Sequence, residues 1–223
     1  LKKITIGLNS GNMRILQNKY KKNNQMVKIG FNSKIMEFQI PLIGFFQLKN
    51  LFIATLAALE SGLNINKIFN QIHKIKPVPG RLECVSSLRN NSYIIVDFAH
   101  TPEALDKSLS ALKKHFKKEI IIVFGCGGDR DKKKRTIMGR IASKYCRKIF
   151  VTDDNPRNEN PEKIRKSIIK GCSKLAVNIG NRKKAIKNAI NELKSNEILL
   201  VAGKGHEETQ NYGKRIINFS DKK

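Results

Sequence analysis

From Tyr93 to Ala202 the chain alternates short apolar runs with longer stretches of helical period, and that alternation leaves few folds open. Strands are expected at Tyr93 to Phe98, Ile120 to Phe124, Lys148 to Val151, around Val177 and at Ile198 to Ala202. Between them, helices are expected from Pro102 to about Phe116, from about Lys133 to Tyr145, from near Pro161, and from Arg182 to Leu193. Repeated βα units predict an α/β fold: a Rossmann-like, mainly parallel sheet with helices on both faces, joined by right-handed crossovers. Tyr212 to Phe219 adds a hairpin or an edge strand.

The first part of the chain follows a different pattern. Short β-like runs at Lys3 to Ile6, Met26 to Phe31 and Ile35 to Ile40 are separated by polar turns. A helix then carries Leu48, Leu51, Phe52, Thr55, Leu56 and Leu59 at helical intervals, and Ser61-Gly62 ends it. Asn64 is placed to cap a second helix holding Ile65, Ile68, Phe69 and Ile72. Pro77-Val78-Pro79-Gly80 marks the boundary, giving domains 1–76 and 77–223. The Lys/Asn-rich patches near 18–25 and 181–188 read as solvated surface.

The 223 residues, 40% of them hydrophobic, suffice for a real core. No apolar run approaches the roughly 20 residues that span a bilayer, and Leu1-Lys2-Lys3-Ile4 lacks the shape of a signal peptide, so no membrane partner and a cytoplasmic location are expected. Cys84, Cys126, Cys146 and Cys172 fit neither a zinc spacing nor a disulfide framework, the four histidines are dispersed, and no metal site is expected. Four such cysteines read as small buried or half-buried residues in a reducing compartment. A formal charge of +26 raises the alternative of a basic nucleic-acid-binding module. Its lysines are spread over every expected helix, however, with no tryptophan and no basic stretch interleaved with aromatic residues.

Three strand ends carry polar groups that a turn alone does not require. These are Gly125-Cys126-Gly127-Gly128-Asp129-Arg130, Thr152-Asp153-Asp154-Asn155-Pro156-Arg157 and Gly203-Lys204-Gly205-His206-Glu207. In an open parallel sheet ligands bind beyond the carboxyl ends of the strands, so three decorated ends point to one small-molecule crevice.

Four segments in order, Val96-Asp97-Phe98-Ala99-His100-Thr101-Pro102, Gly127-Gly128-Asp129-Arg130-Asp131, Asp154-Asn155-Pro156-Arg157 and Gly203-Lys204-Gly205-His206-Glu207, resemble the diaminopimelate-adding branch of the Mur ligase family. The resemblance is closest from about Pro77 to Asp221. Residues 1–76 resemble, more loosely, the end of that family's central ATP-binding α/β domain.

The resemblance implies a monomeric ligase that uses ATP and Mg2+ to turn the carboxylate of UDP-N-acetylmuramoyl-dipeptide into an acyl phosphate, which meso-diaminopimelate attacks through its amino group. It implies that Asn155 and Arg157 hold the distal carboxylate of diaminopimelate, within the matched run Asp154, Asn155, Pro156 and Arg157. Arg130 would hold the other carboxylate, and the Gly203 carbonyl with Glu207 the distal ammonium. Asn50, Arg81, Asp97 and His100 match nucleotide-contacting positions. Each also has an ordinary structural use: Arg130 beside Asp129 or Asp131, Asp154 in a turn, Glu207 as an exposed acid, Asp97 as a strand-end carboxylate. Lys204 and His206 are assigned no contact, and Gln47 stands where the family usually has asparagine.

No Gly-x-x-Gly-Lys-Thr-type phosphate loop occurs, so the chain is expected to be a C-terminal fragment, with that loop, the magnesium ligands and a carbamylated lysine upstream. No catalytic residue is assigned. The alternatives left open are a lysine-adding or folylpolyglutamate-type ligase, separated from the diaminopimelate reading chiefly by Arg157.

Overall fold

The computed structural model describes residues 5–8, 11–173 and 176–223. Two compact units divide the chain, Leu1–Pro77 and Val78–Lys223. Of the run expected at Lys3 to Ile6, Lys3 and Ile4 lie outside the described residues.

The first unit carries a sheet ordered β1 (Ile6–Gly7), β2 (Met13–Lys21), β3 (Asn24–Phe31) and β4 (Lys34–Ile40). β1 runs parallel to β2, and the other pairings are antiparallel. Helices α1 (Phe45–Glu60) and α2 (Ile65–Gln71) follow, α2 capped by Asn64, whose side chain accepts from the amides of Asn66 and Lys67. Met13, Ile15, Val27, Ile29, Ile40, Leu48 and Phe52 form the core. β2 departs from the sequence reading, because a register shift between Ile15 and Gln17 breaks the alternation that marks a strand. The patch at 18–25 is accordingly not all solvated surface. Gln25 is fully buried, its amide donating to the carbonyls of Leu42 and Gly44.

The second unit is a six-stranded sheet ordered β5-β6-β10-β7-β8-β9. Its strands are β5 (Glu83–Ser87), β6 (Tyr93–Asp97), β7 (Glu119–Phe124), β8 (Lys148–Val151), β9 (Ala176–Asn178) and β10 (Glu197–Ala202). β5 is an antiparallel edge with only Cys84 and Val85 as apolar residues, too weak a pattern to read, and the other five strands run parallel.

Helices α3 (Pro102–Phe116), α4 (Lys133–Tyr145) and α5 (Pro161–Ile169) pack side by side. α6 (Arg182–Asn191) lays Ala185 and Ala189 on a separate cluster of Val96, Ile121, Val123, Phe150, Leu199 and Val201. α6 is the element that reverses direction, carrying the chain back from the β9 edge to insert β10 between β6 and β7. A β-hairpin of β11 (Thr209–Asn211) and β12 (Ile216–Asn218) closes the unit.

The patch at 181–188 is also not uniformly solvated. Arg182 is fully buried, its Nε and Nη2 donating to Asp221 at 2.7 Å and Nη2 also to the Ala202 carbonyl. Among the cysteines, all free, Cys126 and Cys146 are buried and Cys84 and Cys172 half-buried; burial pushes the Cys126 thiol up to about 12.

Candidate functional site

The neighbours β6, β10, β7 and β8 all end on one side of the sheet, and the loops leaving them enclose a cleft of about 580 Å³. Arg130, Asp154, Asn155, Arg157, Gly203, Glu207 and His100 line it, with Asp131, Glu103 and Lys134 among the other charged residues. Pro156 is buried behind the loop and does not line the cleft. Arg81 is exposed and does not line the cleft itself, although its guanidinium lies over Phe98, which does, and Asn50 lies exposed on α1 in the first unit.

Close backbone approach builds the walls. A Cβ on Gly125 would run into the Thr152 carbonyl, and one on Gly128 into the carbonyl of Pro156. With glycines there, the Gly128 amide donates to the Asn155 carbonyl at 2.9 Å and the loops after β7 and β8 lie against each other. Arg157, at a left-handed φ of 51°, donates from Nη1 to the Gly128 carbonyl at 2.8 Å, which anchors one side of its fork. Arg130 is exposed at the rim and takes neither neighbouring acid. Asp129 accepts from the Asn158 amide and side chain, and Asp131 from the Lys133 amide.

Glu159 ties this loop pair together. It accepts from Arg135 Nη1 at 3.0 Å and Nη2 at 2.8 Å, and from the Asp129 amide at 2.6 Å. The Arg135 hydrogen bonds, outweighing desolvation and helped by the Asp129 amide, bring its pKa down to about 2. A depressed folded-state pKa means that the stabilisation is present above the ordinary glutamate range and is lost as pH falls towards about 2. Glu159→Gln is therefore expected to lower the thermal midpoint at pH 6, with the gap to the parent protein closing between pH 4.5 and 2. A gap that stays constant over that range would exclude the charge as its origin.

The third wall carries an interaction that the sequence reading left unassigned. The Lys204 ammonium is fully buried, 2.7 Å from Glu207 Oε2 and 3.3 Å from Asn155 Oδ1, and Asn155 Nδ2 donates to the same Glu207 oxygen at 3.0 Å. Burial alone would raise the Glu207 pKa, but the bonds from Lys204 and Asn155 and the charges of Lys204 and His206 hold it below the usual range. Lysine inside a Gly-Lys-Gly segment was the available signal, since glycines flanking a long cation leave room to bury it. Gly203 has φ 113°, and the Asp154 carboxylate lies 2.7 Å from where its Cβ would stand. Asp154 is itself 7% exposed.

Asp97 is 5% exposed, and both carboxylate oxygens are occupied: one by the amides of Leu82 (3.2 Å) and Phe98 (2.9 Å), the other by the Ser108 hydroxyl. Burial raises its pKa against those bonds. The Arg81 guanidinium stacks over Phe98 at 4.7 Å, and the His100 ring meets Phe98 edge-on at 4.6 Å. Among the described residues no group of three His, Cys, Asp or Glu side chains is placed to hold a metal ion, and no helix is long and apolar enough to cross a membrane.

Residues 80–205 match the family model described as Mur ligase, glutamate ligase domain. The chain is 43% identical over 224 residues to the UDP-N-acetylmuramoyl-L-alanyl-D-glutamate-2,6-diaminopimelate ligase of Rickettsia montanensis, covering 99% of this chain and 46% of that protein. It is 45% identical over 206 residues to the same-named ligase of Buchnera aphidicola subsp. Acyrthosiphon pisum, covering 90% and 41%. The chain thus spans less than half the length of these curated relatives.

Among solved structures, a UDP-N-acetylmuramoyl-L-alanyl-D-glutamate-2,6-diaminopimelate ligase aligns at a TM-score of 0.71 and 31% identity, over 98% of this chain and 45% of that one. MurF ligase from Thermotoga maritima, solved with ADP, aligns at 0.66 with 18% identity over 88% and 44%, a likeness of fold. Members of the family use ATP and Mg2+. The family match runs through every strand from β5 to β10, the part of the molecule that builds the cleft, and the chain belongs to the Mur ligase family.

Proposed function

We propose that this chain is the amino-acid-binding part, with the end of the ATP-binding domain, of a cytoplasmic ligase that joins meso-diaminopimelate to UDP-N-acetylmuramoyl-L-alanyl-D-glutamate. The observation that carries the reading is one cleft lined by two guanidinium groups, Arg130 and Arg157, together with the carboxylates of Asp154 and Glu207. A small zwitterion with two carboxylates and an ammonium fits those charges. Residues 1–77 are assigned to the ATP-binding domain and 78–223 to the amino-acid domain.

In this reading the free side of the Arg157 fork and the second hydrogen of Asn155 Nδ2 bind the distal carboxylate. Arg130 binds the carboxylate beside the reacting amine. The distal ammonium lies against the Gly203 carbonyl and Glu207, whose Oε2 is already shared by Lys204 and Asn155. Asp154 adds a second negative charge at that wall, and buried Pro156 fixes the loop's course.

The nucleotide supplies the phosphoryl group that activates the peptide carboxylate, and magnesium is assigned no ligand among the described residues. Exposed Arg81 and His100 are assigned to the nucleotide's negative charge, and Asn50 is carried as a nucleotide contact on the family resemblance alone. Asp97 contributes by fixing the backbone at Leu82 and Phe98. Holding the amine and the acyl phosphate in reacting geometry is the main service such a site performs.

Calorimetric titration of the 223-residue chain with meso-diaminopimelate and, separately, L-lysine tests this, at moderate salt because the formal charge is +26. Diaminopimelate is expected to bind and lysine to bind at least tenfold more weakly. Equal or preferred binding of lysine would favour a lysine-adding ligase.

A further inference from the structure

The Asp153–Arg157 loop is bonded to the loop after β7, to Lys204 and Glu207, to Arg165 and, along its other side, to the β11–β12 hairpin. Gln210, in β11, is 2% exposed, and its Nε2 donates to the carbonyls of Asp153 at 3.2 Å and Asp154 at 2.9 Å. The next residue grips the loop in both directions. The Asn211 amide donates to Asn155 Oδ1 at 2.9 Å, and the Asn211 carbonyl accepts from the Arg157 amide at 3.0 Å. Tyr212 donates its hydroxyl to Asp153 Oδ2 at 3.2 Å, and burial together with that carboxylate pushes its pKa up to about 12. Gly213, at φ 75°, lies so close that a Cβ would stand 3.0 Å from the Arg157 carbonyl oxygen.

These contacts converge on a residue in an unfavourable conformation. Arg157 sits at φ 51°, in the left-handed region that residues bearing a Cβ adopt uncommonly. Asparagine at 155 has its Oδ1 bonded by the same strand, so backbone groups of Asn211 hold the Asn155 side chain and the Arg157 backbone, the two proposed carboxylate ligands of the loop. Gln210 does not line the cleft, and its Nε2 donates to two backbone carbonyls of the loop.

We propose that the β11–β12 hairpin is a template for the Asp153–Arg157 loop and that Gln210 is a positioning residue for amino-acid recognition, acting through Arg157 without touching the ligand. The proposal rests on the diaminopimelate reading of the cleft. Gln210→Met keeps the volume of the side chain and removes both donated bonds.

The test is calorimetric titration of the parent chain and Gln210→Met with meso-diaminopimelate, together with amide hydrogen exchange on both. Exchange at the Arg157 amide reports the hairpin contact whether or not ligand is present. The expected result is an affinity at least about tenfold lower, with faster exchange at the Asn211 and Arg157 amides and unchanged protection in β7 and β10. Unchanged affinity would overturn the proposal, as would exchange accelerated uniformly across the sheet, which marks general destabilisation. If the parent chain fails to bind diaminopimelate, the reading of the cleft fails. Unchanged exchange at Arg157 in Gln210→Met would then show separately that the hairpin is no template.

Discussion

Arg157→Ala is expected to weaken meso-diaminopimelate binding by about 100-fold, within the 2 to 5 kcal/mol typical of truncating one partner of a desolvated charge pair. One guanidinium nitrogen is anchored on the Gly128 carbonyl, so the group is presented to the cleft already oriented and little ordering is required when the ligand arrives. Arg157→Lys keeps the charge but loses both the anchor geometry and the planar fork, and is expected to recover only a small part of the affinity. Lysine as ligand has no second carboxylate, so its binding should change far less. In the assembled ligase the half-saturating concentration of diaminopimelate should rise much more than that of ATP. Equal changes in the two would show Arg157 to be a structural residue.

The second large effect concerns stability. Arg182 and Asp221 form an ion pair with both side chains fully buried, and Arg182 Nη1 has no hydrogen-bond partner among the described residues. Asp221→Ala leaves a guanidinium stranded under the sheet and is expected to cost about 3 to 5 kcal/mol, lowering the thermal midpoint by roughly 10 °C for a domain of this size. Replacing both partners, Arg182→Met with Asp221→Ala, removes the stranded charge and should recover much of the loss. Denaturant midpoints for the parent chain and the two variants check this directly. A double variant no more stable than Asp221→Ala alone would mean that the pair is not what sets the cost.

The parallel sheet was readable because its signals are local. The helix from Pro102 announces itself by Thr101, whose side chain caps the Ala104 amide, and by a terminal run of Lys113, Lys114 and His115. β8 and α4 likewise follow from apolar runs and periodicity. β2 and β5 escaped notice for opposite reasons, a bulge that breaks alternation in one and too few apolar residues in the other.

For the cleft, the motif residues could be singled out because polar groups at strand ends are anomalous. The groups that fix them could not. Lys204, Arg182 and Gln210 are residue types usually found in solvent, and their burial depends on partners 3 to 57 positions away. Strand order was likewise closed to inspection, since the place of β10 depends on which edge α6 returns to.

That place has a consequence for the chain as it is made. The strand in the middle of the sheet is the last of the six to leave the ribosome, and β6 and β7 meet only through it. After Phe124 is synthesised, the facing edges of both strands must wait for Glu197–Ala202, an interval of roughly 4 to 15 s at ordinary elongation rates. During that time two apolar strands stand with open hydrogen-bonding edges, the state in which nascent chains pair with the wrong neighbour. The second unit is therefore most open to strand mispairing over the synthesis of the stretch from α4 to α6.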